Sequence, residues 1–182
     1  AYLADKEDVQ VIMTRSDDTF LSLEERTTFA NQNNADYFVS LHRNTGEGNG
    51  VETWIRSDAD DKAQALAKNI MDNLDAAGIS RNRGVKKGTQ KSESKDYYVN
   101  LHTNMPACIV ELGFMNSPTD NQLFDANIDS YAKAIGDAVL KTYESYGKDG
   151  ADAKESVEDV PGTEEYRNGH RYDRTGIAEH TD

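Results

Sequence analysis

The chain has 182 residues, of which 36% are hydrophobic and 29% charged, and its formal net charge at pH 7 is -13. A chain of this length can bury one hydrophobic core, so we expect a single globular domain with some polar surplus. The negative charge argues against a nucleic-acid partner, because such binding requires a basic surface. No apolar run approaches the length of a membrane span, so we expect no membrane-spanning segment.

The first third of the chain predicts an alternation of helices and strands. Residues 1–8 have the pattern of the last turns of a helix, and Val9–Met13 is predicted as a short buried strand. Ser22 precedes Glu25 by three residues, which is the spacing of a capping box. This signal predicts a helix that continues to about Asn33.

Two further strands are predicted around a glycine-rich turn. Residues 36–42 (DYFVSLH) form the first strand, residues 45–50 (TGEGNG) the turn, and residues 51–55 (VETWI) the second strand. Apolar residues recur at helical spacing over Asp60–Ala77, and Gly78 is suited to end that helix.

The second half continues the alternation. A polar loop over residues 83–95 leads to two apolar runs, 97–101 (YYVNL) and 107–114 (ACIVELGF), and the latter is the most strand-like segment of the chain. A helix start at 117–124 and an amphipathic helix over Ile128–Tyr146 follow. Strands separated by such helices predict an α/β fold in three layers, with a mostly parallel, twisted sheet covered by helices on both faces.

The composition changes after Tyr146. Residues 147–182 are rich in Asp, Glu, Gly and Ser, poor in aliphatic residues and without clear periodicity. Such a segment cannot bury enough apolar surface to fold alone. We therefore expect a domain over residues 1–146 and a disordered acidic tail or linker over residues 147–182.

Two polar residues in predicted strands are candidates for chemistry. His42 follows the apolar run of its strand, and Glu111 lies inside ACIVELGF. A lone histidine in this position is more often structural. A carboxylate in so apolar a segment is costly to bury unless it is paired, lies beside a metal or serves as a general base. Histidine as ligand and glutamate as base, at neighbouring strand ends, are the combination that a mononuclear zinc hydrolase uses.

Two other residues receive structural interpretations. Cys108 is the only cysteine, so the chain has no disulfide framework and no CxxC pair, and we expect a buried small hydrophobic side chain. His102 matches no ligand pattern and is expected to be structural or at the surface.

Four segments carry a family resemblance in their order and spacing. They are VIMTRSDDTFLSLEERTTFANQNNADYFVSLHRN, GVETWI, RGVKK and MPACIVELGFMNSPTDNQLF. Together, from about Val9 to Tyr143, they resemble the zinc-dependent N-acetylmuramoyl-L-alanine amidases of the amidase type 3 family. The resemblance implies an α/β domain of about six strands that cleaves the amide between N-acetylmuramic acid and L-alanine in peptidoglycan.

The resemblance also implies roles for single residues. The S-hydrophobic-H-x-N motif falls on Ser40–Asn44, which makes His42 a Zn²⁺ ligand. The VE-hydrophobic-GF motif falls on Val110–Phe114, which makes Glu111 the catalytic carboxylate. Arg43 stands where a small residue is commonest in the family. Two interpretations of it stay open: contact with a carboxylate of the peptide stem, or a solvated loop cation.

The family's other two zinc ligands are a histidine in a GHGG-type loop and a glutamate at the start of the first helix. Both would precede residue 1, so we expect an N-terminally truncated domain that lacks its first strand and first ligand loop. His170, Glu179 and His180 in the tail are an alternative source of ligands, although their spacing differs from that of the family. Incidental tail residues are the favoured interpretation.

The resemblance further implies a secreted or cell-envelope protein of a bacterium, acting as a monomer on peptidoglycan in the manner of an autolysin. Two alternatives stay open. The first is a non-catalytic peptidoglycan-binding module with an amidase-like fold. The second is a metallopeptidase that acts on another cell-wall amide, because a fold does not determine its substrate.

Overall fold

The computed structural model describes residues 2–147 and, further on, the backbone of two short strands. The elements alternate along the chain as the sequence predicts. Their bounds are α1 Leu23–Gln32, β1 Phe38–Asn44, β2 Val51–Ile55, α2 Asp61–Ala76, β3 Asn82–Lys87, α3 Tyr98–His102, β4 Ala107–Phe114, α4 Pro118–Tyr146, β5 Glu165–Arg167 and β6 His170–Tyr172.

The central sheet has the strand order β1-β4-β2-β3. Two of its three pairings, β1 with β4 and β2 with β3, are parallel. The third, β2 with β4, is antiparallel. The predicted α/β fold is therefore confirmed, but the sheet is mixed rather than mostly parallel, because β2 and β3 run opposite to β1 and β4. β5 and β6 form a separate antiparallel pair.

Hydrophobic cores lie on both faces of the sheet, which confirms the three-layer arrangement. On one face, α2 and α4 pack against the sheet, and Ile70 of α2 is among the fully buried side chains. On the other face, Ala30 of α1 and Val99 of α3 pack against Trp54 and Ile109. Successive strand residues alternate between these cores, because side chains along a strand point to opposite faces.

Local signals place the helix ends where the sequence predicts them. The Ser22 hydroxyl accepts a hydrogen bond from the Glu25 backbone N–H at 3.1 Å, and the Glu25 carboxylate accepts one from the Ser22 N–H at 2.7 Å. This is the capping box that begins α1. Asp60 caps α2, and Gly78 follows that helix with a φ of 89°.

The two helical segments predicted after Ser117 form one helix, α4. A residue with non-helical backbone angles, Asn127, marks a kink between them. None of the helices within residues 2–147 is long and apolar enough to cross a membrane.

The interpretations of the two minor residues are confirmed. Cys108 is fully buried in the core between the sheet and helices α2 and α4, and this burial raises the pKa of its thiol to about 12. His102 is exposed, its Nδ1 pairs with the Tyr98 carbonyl at 3.0 Å, and its ring stacks on that of Tyr98. The structure does not describe the side chain of His170, nor any part of Glu179 and His180. The boundary at residue 146 between a domain and a tail stays a prediction.

Two predictions near the start of the chain are wrong. Residues 2–8 form turns rather than a helix, and Val9–Met13 forms no strand. A strand needs a neighbour to pair its backbone groups, and no described strand pairs with this segment. An apolar run alone cannot show whether that neighbour is present.

Two further segments differ from the sequence interpretation. Residues 97–101 form an apolar run of the length typical of a strand. In the structure they contribute most of the short helix α3 instead. The strand β3, Asn82–Lys87, lies in the predicted polar loop apart from its first residue. Both elements lack a periodic signal, because a five-residue helix is too short to show one and β3 is a largely exposed edge strand without apolar alternation.

Asp120, at the start of α4, ties three segments of the chain together. Its buried carboxylate accepts hydrogen bonds from the backbone N–H groups of Gly50 at 3.0 Å and Phe114 at 2.8 Å, and from the Ser80 hydroxyl. Gly113 has a φ of 85°, and a Cβ there would lie 2.8 Å from the Asp120 Cβ. The end of β4 can therefore approach Asp120 only because residue 113 is a glycine.

We predict that Asp120→Ala lowers the free energy of unfolding by about 2–4 kcal/mol, because two buried N–H groups lose their acceptor. Denaturant unfolding followed by circular dichroism measures this change. Asp125→Ala, an exposed position on the same helix, is the matched control and is expected to cost less than about 0.5 kcal/mol. Equal stabilities of the two variants would show that the Asp120 contacts contribute nothing.

Candidate active site

Three ionisable side chains stand in one row across neighbouring strands of the sheet. His42 on β1 is the register partner of Glu111 on β4, and Glu111 is also the partner of Glu52 on β2. Residues directly opposite each other on paired strands project from the same face. The structure therefore brings the two predicted site residues together and adds Glu52 to them.

Glu52 is buried, with only 2% of its surface exposed. Its Oε2 accepts a hydrogen bond from Arg83 Nε at 2.7 Å. Its Oε1 accepts one from Asn44 Nδ2 and one from Trp54 Nε1, each at 3.1 Å. A charged partner and two neutral donors thus compensate for removing this carboxylate from water.

Glu111 is half-buried and keeps one carboxylate oxygen free. Its Oε2 is buried and has no hydrogen-bond partner among the described residues. Burial, and then the negative charge of Glu52, raise the pKa of Glu111 above its ordinary value. A carboxylate with a raised pKa and an oxygen that no described residue hydrogen-bonds is suited to accept a proton from a substrate or from water.

His42 presents an imidazole beside Glu111. Its Nε2 pairs with the Ser40 hydroxyl at 3.0 Å. His42 is exposed by its accessible surface, but protein atoms around its ring lower its pKa by desolvation, and the positive charges of Arg26 and Arg15 lower it further. The neutral form, whose free nitrogen can bind a metal ion, is thereby favoured at neutral pH.

The described residues supply one candidate ligand for zinc rather than a complete set. No group of three His, Cys, Asp or Glu side chains within the described part of the chain is arranged to hold a metal ion. A catalytic zinc is usually held by three protein ligands. His42 fits such a role by its chemistry, but the described residues alone do not form a zinc site.

Arg43 does not take either position considered from the sequence. Its Nη2 donates a hydrogen bond to Asn121 Oδ1 at 2.6 Å, and its guanidinium lies 4.4 Å from the ring centroid of Phe124. Both partners belong to α4, which packs on the face of the sheet opposite Glu111. Arg43 is therefore neither a solvated loop cation nor a group that contacts a peptide beside Glu111.

Glu52, Arg83 and Asn44 are site residues that the sequence analysis did not single out. One signal for Glu52 was present, since it is a charged residue inside the short apolar strand VETWI, as Glu111 is inside ACIVELGF. Arg83 gave no such signal. It lies in a polar, basic segment where a cation is unremarkable, and only the fold brings it to Glu52.

Comparison with known proteins is consistent with this geometry. Residues 1–141 match the family model described as N-acetylmuramoyl-L-alanine amidase. An uncharacterised protein of Bacillus subtilis, YqiI, is 35% identical over 144 residues, which cover 78% of this chain and 66% of that protein. The B. subtilis N-acetylmuramoyl-L-alanine amidase LytC is 32% identical over 138 residues, covering 72% of this chain and 26% of that protein.

A solved structure shares the fold. The N-acetylmuramoyl-L-alanine amidase of Clostridium difficile 630 superposes with a TM-score of 0.72 at 31% identity, covering 80% of this chain and 78% of that one. The chain spans just under two thirds of YqiI and about a quarter of LytC.

We predict that the His42 imidazole titrates below the ordinary histidine value of 6.5, because desolvation and two nearby cations disfavour its protonated form. NMR of the ring protons over pH 4–8 measures the midpoint. Arg26→Gln removes one of these cations, so the midpoint is expected to rise toward 6.5. A midpoint at or above 6.5 in the unmodified chain would contradict this description of the site.

Proposed function

This chain belongs to the N-acetylmuramoyl-L-alanine amidase family, and we propose that it is a peptidoglycan hydrolase that cleaves the amide between N-acetylmuramic acid and L-alanine. The observation that carries the proposal is the free, buried oxygen of Glu111 in register with His42. An amide hydrolase needs a general base beside the site where water is activated, and this pair provides the base and one candidate metal ligand.

In the proposed reaction, Glu111 accepts a proton from the water that attacks the carbonyl carbon of the lactyl group. The C–N bond then breaks, and the same carboxyl group can return the proton to the departing amine of L-alanine. Glu52 stays bonded to Arg83, Asn44 and Trp54. Burial raises the pKa of Glu111, and the fixed negative charge of Glu52 raises it further.

The proposed cofactor is Zn²⁺, with His42 as one ligand. The remaining ligands would not be among the residues that the structure describes. When bound, the ion would lower the pKa of water and polarise the carbonyl group. His42 would contribute a neutral imidazole nitrogen, and its pairing with Ser40 would orient the ring.

The proposed substrate also determines the proposed location. Peptidoglycan lies outside the cytoplasmic membrane, so we place the protein in the cell envelope or the surroundings of a bacterium. An autolytic role, like that implied by the sequence resemblance, is part of the proposal.

We predict that Glu111→Gln retains the fold and lowers hydrolysis by about a hundredfold or more, because an amide cannot accept the proton. Release of new N-terminal L-alanine from purified peptidoglycan, in the presence of zinc, measures this. Glu47→Gln, in the exposed loop before β2, is the matched control and should remain active. Near-normal release by Glu111→Gln would remove Glu111 from the mechanism.

The same assay separates the alternatives. A different new amino terminus would identify a metallopeptidase. Binding of peptidoglycan without any release, even with saturating zinc, would identify a non-catalytic module.

The pH dependence is predicted from the raised pKa of Glu111. Activity requires the ionised carboxylate, so it should fall as the pH decreases through a pKa above the ordinary 4.5. Glu52→Gln removes the neighbouring negative charge, and the acidic limb of kcat/KM is expected to move to lower pH. Glu47→Gln should leave the limb in place. A limb that does not move, or moves upward, in Glu52→Gln would show that Glu52 does not act on Glu111.

A further inference from the structure

We propose that Arg83 binds a carboxylate in the peptide portion of the substrate, and that buried Glu52 and the Phe114 ring hold its guanidinium in place for this. The proposal rests on the proposed function, because it names the part of a peptidoglycan substrate that lies beside Glu111. It assigns to Arg83 the contact that the sequence had left open for Arg43.

Arg83 is anchored on three sides. Its Nε donates to Glu52 Oε2 at 2.7 Å, and its Nη1 lies 3.5 Å from the Asn49 carbonyl oxygen. The guanidinium stands 5.0 Å from the centroid of the Phe114 ring. The loop before β2 supports this ring, since a Cβ at Gly48 would lie 3.0 Å from it. The plane of the guanidinium is thus fixed before any ligand binds.

One edge of this fixed guanidinium stays available. No hydrogen bond joins Arg83 Nη2 to another described residue, and Nη2 is absent from the buried atoms that lack a partner. The side chain retains 30% of its surface exposed. A guanidinium has five N–H groups, so those of Nη2 can still donate to an anion from solvent.

The position of Arg83 suits a peptide that extends from the reacting bond. Glu52 lies between Arg83 and Glu111, since it bonds the former and is the register partner of the latter. Two strand spacings, about 10 Å, separate β3 from β4. Two extended residues span about 7 Å. The Arg83 side chain reaches back from β3 to the Glu52 carboxylate on β2, so its guanidinium lies nearer to Glu111 than the β3 backbone does. An acidic residue directly after the L-alanine can therefore bring its carboxylate to Arg83 while the scissile amide lies at Glu111.

The surrounding charges also favour this partner. Glu52 and Glu111 would repel an anionic peptide, so its binding requires a cation nearby. Arg83 provides that cation at the row itself.

A purely structural alternative is that Arg83 does nothing but balance the charge of Glu52. That role would affect stability and would treat charged and uncharged ligands alike. Recognition of a carboxylate would instead appear as a preference for a charged ligand over its amide. The two roles are therefore separable by a ratio of affinities.

The test uses the full chain with Glu111→Gln, which prevents turnover. Calorimetric titration compares N-acetylmuramoyl-L-alanyl-D-isoglutamic acid with the ligand that carries a carboxamide in place of its α-carboxylate. We expect the acid to bind about tenfold more tightly. Adding Arg83→Gln should reduce this ratio to about one. Adding Lys87→Gln, which removes an equal charge from an exposed position on the same strand, should retain it.

Two further variants keep the test decisive if Arg83→Gln unfolds. Arg83→Lys keeps the charge for Glu52 but loses the planar fork, so an intermediate ratio is expected. The double variant Glu52→Gln, Arg83→Gln also lacks the buried carboxylate that Arg83→Gln alone would leave unpaired. Its ratio of affinities for the acid and the amide should be about one. Melting temperatures show which variants are folded. An unchanged ratio in every folded Arg83 variant would overturn the proposal and leave Arg83 as a counter-ion.

Failure of this inference is distinguishable from failure of the proposed function. Equal affinity for acid and amide in the chain with Arg83 intact, together with release of L-alanine termini by the wild-type chain, would overturn only the role of Arg83. Selective binding without any such release would overturn the hydrolase and leave the carboxylate contact established.

Discussion

The site depends on one electrostatic constraint, the placement of two glutamates opposite each other on adjacent strands. Glu52 and Glu111 are register partners in the centre of the sheet. Like charges directly opposite each other on paired strands destabilise each other. Arg83, Asn44 and Trp54 offset this repulsion at Glu52 alone, and Glu111 keeps a free oxygen. The two carboxylates thereby acquire different properties from one arrangement.

This arrangement requires the reversed direction of β2. Because β2 runs antiparallel to β4, its first residues lie at the edge of the sheet where β1 and β4 end. Glu52, the second residue of β2, therefore meets Glu111 near that edge. A parallel β2 would have placed the same residue at the opposite edge. The Asp120 carboxylate stabilises this geometry by binding the backbone of Gly50, just before β2, and of Phe114, at the end of β4.

The apolar packing below the row fixes the direction of the three side chains. Ile109 precedes Glu111 by two residues, and Trp54 follows Glu52 by two, so each pair shares a face of the sheet. Trp54 both packs in this core and donates its indole N–H to Glu52. Burial of the tryptophan and support of the carboxylate are thus achieved by the same residue. A substitution that shifts Trp54 in this core is therefore expected to weaken its hydrogen bond to Glu52.

The sequence by itself determined the layered α/β class and the caps of α1 and α2, because these depend on local spacing. It also marked Glu111 as a candidate by its charge inside an apolar run, and His42 as a candidate by its place at a strand end and by the family resemblance. The tertiary structure decided the rest, because it depends on strand order and direction. Only pairing makes Glu52 the neighbour of Glu111, and only the antiparallel entry of β2 brings Arg83 to the same row. Pairing likewise decided that Val9–Met13 is not a strand, since an apolar run without a neighbouring strand leaves its backbone groups without partners.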